Sequence, residues 1–242
     1  LPGVALAWEL AVFRPALREA AYRFATEDRK LAERDTYGRA FLQIMNVWRQ
    51  DPTVKRFVFA KRFAQIAADL LGVEKVRLYH DQALFKEPGG GITPWHQDQY
   101  YWPLDTDRTI TMWMPLGDIT DENGMITFAS GSHHGGLVEN IAISDESEKA
   151  FASYIATNNF SIAAESLMRA GDATFHLGTT IHRAGENASQ TVAREVMTVI
   201  YFADGARVTA PQNDEQAADI AAWLSGRSPG EIADGELNPV LN

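Results

Sequence analysis

The chain has 242 residues, no cysteine, and a formal net charge of -10 from 22 Lys+Arg against 32 Asp+Glu. Disulfides and thiolate metal sites are thereby excluded, and the acidic balance speaks against nucleic acid as a partner. No apolar run approaches the roughly 20 residues that cross a bilayer.

Residues 1–10 are mildly apolar, but they lack a basic leader and are broken by Glu9, so they read as a poor signal peptide. No initiator methionine is present, and residues before Leu1 are expected. The absence of cysteine is consistent with a cytoplasmic enzyme. Apolar spacing predicts helices over 15–34, 41–48 and 54–71, with Gly72 closing the last. Strands are predicted over 76–79 and 83–85, followed by the Pro-Gly-Gly-Gly turn at 88–91. Further strands are predicted over 109–116, 125–128, 160–163, 173–176 and 195–202. A helix over 144–157 is inserted among them, and another over 214–224 precedes a Pro- and Gly-bearing tail. Helices first, then many short strands with glycine punctuation, predict a mainly β fold: a barrel or double-sheet jelly roll with helices packed outside. One domain is expected, with a helical layer over 1–72, a jelly-roll core over 73–205 and a helix and tail over 206–242.

The chemistry is carried by Trp95-His96-Gln97-Asp98, His182 and Arg194. On an extended segment His96 and Asp98 point to the same side. Together they can offer one imidazole nitrogen and one carboxylate oxygen to a metal. A histidine from a distant strand, His182, completes a 2-His-1-carboxylate face of the kind that holds Fe(II) with positions left open. His176 is the competing ligand; its plainer role is a core histidine beside the site. Arg194 opens an apolar strand, where an unpaired cation is costly. It can clamp a dicarboxylate, or serve as a surface charge or as a partner of Glu195. The run Tyr100-Tyr101-Trp102 lines the substrate side or packs a barrel rim.

These segments, with 79–89, Phe128 to His133 and Gly171 to Asn187, resemble the phytanoyl-CoA dioxygenase family of Fe(II)/2-oxoglutarate-dependent oxygenases across roughly residues 75–203. The resemblance implies a double-stranded β-helix (cupin-like jelly-roll) core, Fe(II) held by His96, Asp98 and His182, and 2-oxoglutarate and O2 as cosubstrates. It implies Arg194 as the clamp on the distal carboxylate, Trp113 as a wall of the cosubstrate pocket, and Lys86 and Gln82 as further contacts. Ala184 stands where some members carry a serine that touches the cosubstrate, so that contact is expected to shift to Lys86 or Thr111. Asp98, in place of the small residue of related halogenases, implies a hydroxylase-type reaction. The expected partner is a small molecule, a secondary metabolite over an acyl-CoA, because no Lys/Arg cluster for a CoA phosphate is evident. The alternatives are a cupin-like metal enzyme without 2-oxoglutarate and a non-catalytic jelly-roll binding module.

Overall fold

The computed structural model describes residues 1–242. In chain order its elements are α1 (Ala7–Phe24), α2 (Thr36–Ala40), β1 (Leu42–Met45), α3 (Pro52–Val58), α4 (Lys61–Leu71), β2 (Val76–Lys86), β3 (Thr93–His96), β4 (Thr109–Pro115) and β5 (Ile119–Thr120). There follow β6 (Ile126–Ser130), α5 (Asp145–Asn158), β7 (Ser161–Ala163), β8 (Leu167–Met168), β9 (Thr174–Leu177), β10 (His182–Ala184), β11 (Arg194–Ala203) and α6 (Asp214–Trp223).

The strands form a five-stranded sheet ordered β1-β2-β11-β4-β9, a four-stranded sheet ordered β3-β10-β6-β7, and the β5-β8 pair. All of these strand pairs are antiparallel. This is the jelly-roll arrangement, two sheets facing each other with helices outside.

The larger sheet sorts its side chains by the period of two. Met112 and Met114 of β4, and Met197, Val199 and Tyr201 of β11, face outward. There they bury against Leu17 and Ala21 of α1, Phe57 of α3 and Phe63, Ala64 and Ala67 of α4 in the main hydrophobic core. Thr111, Trp113, Thr198 and Ile200 alternate with them and face a cavity between the sheets. In β2 the register slips opposite Ile200 and Tyr201, which pair with His80 and Leu78 and leave Tyr79 as an extra residue. This bulge lets Val76 and Leu78 enter the helix-facing core while His80, Gln82 and Leu84 turn inward.

Four sequence expectations are corrected. Residues 41–48 form strand β1 and a short 3₁₀ turn, Val47–Arg49, in place of a helix. The helix expected over 54–71 is two helices, with Phe59 and Ala60 between them. The first helix starts before Pro15, which lies inside it, and ends at Phe24 rather than Arg34. The two strands expected over 76–85 are one continuous strand.

Candidate active site

Strand β3 ends at His96, and Asp98 opens a 3₁₀ turn, Asp98–Tyr101. The pair therefore does not share one strand, as alternation had predicted, yet the turn returns the carboxylate to the imidazole. His96 Nε2 lies 3.5 Å from Asp98 Oδ1. His182, first residue of β10, pairs directly with His96 across the strands, and its Nε2 is 3.8 Å from the same oxygen. One ligand atom from each of the three residues falls within a 4.8 Å group. Donor atoms of one small ion with bonds of about 2.1 Å stand about 3 Å apart at right angles, so the cluster is close to that spacing.

Each ring is set by its backbone. His96 Nδ1 is 2.7 Å from Pro94 O and His182 Nδ1 is 3.0 Å from Thr180 O. A carbonyl only accepts, so the proton sits on Nδ1 and each Nε2 keeps its lone pair for a metal. Burial, followed by the neighbouring His96 and His176, holds His182 well below the usual histidine range, so it is neutral. Burial alone would raise the Asp98 carboxyl, but His182, His176 and His96 outweigh it and hold it well below the usual carboxylate range. Two neutral nitrogens and one carboxylate suit Fe(II).

Local bonds explain why these loops hold their shape. Gln97 Nε2 donates to Gly136 O (2.8 Å) and Thr179 O (2.5 Å), while its oxygen accepts from Val138 N (3.0 Å). Glu148 of α5 accepts from Trp95 N and from the Arg183 guanidinium, and so ties β3 to β10. Thr111 Oγ1 donates to Asp98 Oδ2 at 3.0 Å, which turns Oδ1 toward the histidines. Thr111 is thus placed on the carboxylate itself, whereas the sequence suggested it as a cosubstrate contact.

His176 lies closer to the centre than an ordinary core histidine. Its Nε2 is 3.6 Å from Asp98 Oδ2, and neither ring nitrogen has a hydrogen-bond partner. It faces the oxygen that Thr111 holds and is absent from the group that converges on Oδ1. His133, by contrast, sits in a surface 3₁₀ turn stacked on His134.

The cavity measures about 780 Å³ including its open mouth. Gln82, Trp113, Tyr101, Trp102 and Ala184 line it; Tyr100, Lys86 and Arg194 do not. Tyr100 instead reaches Glu215. Arg194 lies behind the wall, its guanidinium 5.4 Å from the Trp113 ring centroid and donating to Gly124 O at 3.2 Å. Lys86 donates to Gly91 O and Thr93 Oγ1. Neither cation has a carboxylate partner. Glu195, the partner that the sequence offered to Arg194, points to the other face and pairs with Arg14 and Arg18 of α1. Burial lowers Arg194 to about 9; burial and then Arg194 lower Lys86 to about 6. Two buried basic groups, neither paired with a carboxylate and only Lys86 feeling a distant one, Glu186, are costly unless an anion joins them. Gln82 donates to His80 and accepts from Gln43, so its polar groups belong to the opposite half of the cavity.

Sequence reasoning missed the polar lining of that half: Tyr37, His80 and Asp219. His80 could have been found from its place two residues before Gln82 on a strand. Asp219 could not, since its approach depends on how α6 packs.

The family model of phytanoyl-CoA dioxygenase (PhyH) matches residues 2–196. A probable alpha-ketoglutarate-dependent hypophosphite dioxygenase of Stutzerimonas stutzeri is 26% identical over 62% of the chain and 53% of its own length. Phytanoyl-CoA dioxygenase domain-containing protein 1 of Danio rerio is 27% identical over 70% of the chain and 59% of its own length. The chain thus spans little more than half of either relative. Among solved structures, the non-heme alpha ketoglutarate dependent carbocyclase SnoK from nogalamycin biosynthesis superposes with a TM-score of 0.80 at 26% identity, covering 100% of this chain and 90% of that one. The epimerase SnoN, in complex with Fe3+, alpha ketoglutarate and nogalamycin RO, gives a TM-score of 0.78 at 24% identity, covering 100% and 93%.

Proposed function

The chain belongs to the phytanoyl-CoA dioxygenase family, and on that premise we propose that it is an Fe(II)/2-oxoglutarate-dependent dioxygenase that oxidises a small molecule. The observation that carries the reading is the convergence of two free Nε2 atoms and one carboxylate oxygen on the inner sheet faces that also carry the unpaired Arg194. His96, Asp98 and His182 would hold the iron. Arg194 and Lys86 would bind the distal carboxylate of 2-oxoglutarate, with Trp113 as the wall between.

When bound, Fe(II), 2-oxoglutarate and O2 supply the oxidising power, with succinate and CO2 released. The protein's part is orientation and exclusion of water. Pro94 O and Thr180 O hold the two imidazoles in the ligating tautomer. Thr111 fixes the rotation of the Asp98 carboxylate. The fully buried Lys86 and nearly buried Arg194 would regain their full charge beside a carboxylate, because an opposite charge favours the ionised form. The cavity, open at its mouth and lined by both polar and apolar side chains, suits a small organic substrate.

Anaerobic titration tests the proposal. Adding Fe(II) and 2-oxoglutarate to the protein should produce the weak visible charge-transfer band of the chelate, and aerobic incubation should yield succinate. Iron binding without that band would favour a cupin-like metal enzyme that does not use 2-oxoglutarate. No iron binding would leave a binding module.

A further inference from the structure

The half of the cavity remote from Arg194 carries its own polar end. A directed chain of hydrogen bonds runs along its wall. Tyr37 Oη donates to Gln43 Oε1 at 2.6 Å, Gln43 Nε2 donates to Gln82 Oε1 at 2.9 Å, and Gln82 Nε2 lies 3.5 Å from His80 Nδ1. Because Tyr37 supplies a proton to the first amide oxygen, both amide groups are oriented with their NH2 ends toward His80. His80 Nδ1 is therefore the acceptor. Burial holds this ring neutral, lowering it to about 3, and a neutral imidazole that accepts at Nδ1 carries its proton on Nε2. With Nδ1 taken up by Gln82, Nε2 is the ring atom left to offer a hydrogen bond. The ring lines the cavity wall, and this tautomer makes it a donor there.

Asp219 supplies the complement. It reaches the same cavity from α6, with Oδ2 accepting from Tyr79 Oη at 2.8 Å. It has no arginine or lysine partner. Tyr79 and Trp223 place the two groups near each other: the His80 ring centroid lies 4.9 Å from that of Tyr79 and 5.8 Å from that of Trp223. The remaining surface here is largely apolar, with Phe41, Met45, Trp102 and Ile143. The cation that lines the cavity, Arg183, is spent on Glu148 at 2.6 Å and lies over the Trp95 ring. A carboxylate or phosphate at this end would meet no free positive charge and would face Asp219, whose carboxyl burial raises to about 7 despite its hydrogen bonds from Tyr79 and Trp223. Asp219 also lies beyond residues 2–196, the stretch shared with the family, as befits a group that selects a particular substrate.

We propose that His80 Nε2–H and the Asp219 carboxylate form the anchor for the primary substrate, and that this substrate is a hydroxylated or amino-alcohol-bearing ring compound without an anionic group. A hydroxyl or amine donates to Asp219, and an adjacent hydroxyl oxygen accepts from His80. The proposal deepens the dioxygenase reading and rests on it for the word substrate. The binding chemistry itself can be tested without iron.

The test uses cis-1,2-cyclohexanediol, 2-aminocyclohexanol and cyclohexanecarboxylate as probes of matched shape, titrated into the metal-free chain with tryptophan fluorescence as readout, and any carboxylate binding that succinate displaces is assigned to the Arg194 end and not counted. The diol and the amino alcohol should bind saturably. The carboxylate should bind weaker by about tenfold or more, the cost of leaving polar groups unpaired. Asp219→Asn should weaken the amino alcohol most. His80→Gln keeps a side-chain N–H at the position of Nε2 and should retain diol binding. His80→Asn keeps only the inner position and should lose it. Carboxylate binding equal to that of the diol, wild-type affinity in both Asp219→Asn and His80→Asn, or no saturable binding of either hydroxylated probe would each overturn the proposal. Circular dichroism of each variant separates lost binding from lost fold. The Fe(II) and 2-oxoglutarate titration is run apart from these probes, so failure of the dioxygenase reading and failure of this one show as different results.

Discussion

Arg194 and Lys86 stand directly opposite each other in the β11–β2 ladder, two cations side by side in a buried place. Like charges across a strand pair are destabilising, and no carboxylate is paired with either group; Glu186 offsets the charge on Lys86 less than Arg194 opposes it. The cost is explained if the pair exists to receive a dianion. Arg194→Ala should raise the apparent KM for 2-oxoglutarate by roughly 30- to 5,000-fold, the equivalent of about 2–5 kcal/mol for a lost buried charge pair. Iron affinity should stay near wild type. Lys86→Met should also raise that KM, yet leave the midpoint of urea unfolding equal or higher, because it removes the repulsion. A KM unchanged in both variants would remove 2-oxoglutarate from this corner of the protein.

The divergent placement of His182 and His176 around Asp98 separates their roles. His182→Ala should abolish iron binding, measured as metal retained after desalting and as turnover. His176→Ala should leave iron bound. The reverse pattern would exchange their assignments.

Thr111 acts through Asp98 rather than on the metal. Thr111→Val keeps the shape and removes the donor to Oδ2, and loss of such an outer partner typically costs about 10- to 100-fold in metal affinity. Thr111→Ser, which keeps the hydroxyl, should restore most of it. Calorimetric Fe(II) or Mn(II) titration reads both, and a full-affinity valine variant would show that Asp98 needs no such support.

Asp98 fills the carboxylate position of the cluster, so the unmutated enzyme should give hydroxylated or otherwise oxidised products and no chlorinated ones in chloride buffer. Asp98→Gly should bind iron more weakly, with some recovery in chloride or bromide. Mass spectrometry of the products decides; chlorinated product from the unmutated chain would mean that Asp98 is not a ligand.

Asp81 faces away from the cavity and holds the turn after β1. Its two oxygens accept from Val47 N (3.0 Å) and Trp48 N (3.3 Å). Asp81→Ala should destabilise the fold by about 1–3 kcal/mol for each donor left unpaired. Burial raises its carboxyl from 3.8 to about 7 despite those bonds. The folded pKa lies above the unfolded one, so the group's contribution is full below pH 3.8 and is lost as pH rises through 7. Urea unfolding should therefore show a larger penalty for Asp81→Ala at pH 5 than at pH 8.

The triad was legible because three residue types with metal chemistry stand in ordered motifs, and because a strand pairing such as His182 with His96 needs only compatible lengths between them. The strands with unambiguous β-branched or alternating patterns, such as β4 and β11, were legible for the same local reason. Strand β1 was not. Phe41, Leu42, Ile44, Val47 and Trp48 fit a helical stripe as well as a strand, and what decides is the pairing of Leu42 with Phe85, a long-range bond. The break at Phe59 and Ala60 carries no proline or glycine. Pro15 invited a helix start, but the chain runs helical on both sides of it. In the site, neither the Thr111 bond to Asp98 nor the arrival of Asp219 at the cavity has a local signature. Both depend on which strand or helix packs alongside.

The extra residue at Tyr79 has an effect on how this protein can change. By stepping β2 half a pleat, it places the hydroxyl of Tyr79 against Asp219 while His80, the next residue, enters the cavity. Beyond the bulge the register runs unbroken from His80 opposite Ile200 to Lys86 opposite Arg194. One continuous stretch, His80 to Lys86, therefore carries the residues proposed for both ends of the site, and the bulge sets it off from Val76 and Leu78 in the helix-facing core. Exchanging the loop and helix after β11 would change the Asp219 end of the cavity while the pairing of His80 to Lys86 with β11 stays in register, whereas deleting one residue at the bulge would shift Val76 to Leu78 against that strand.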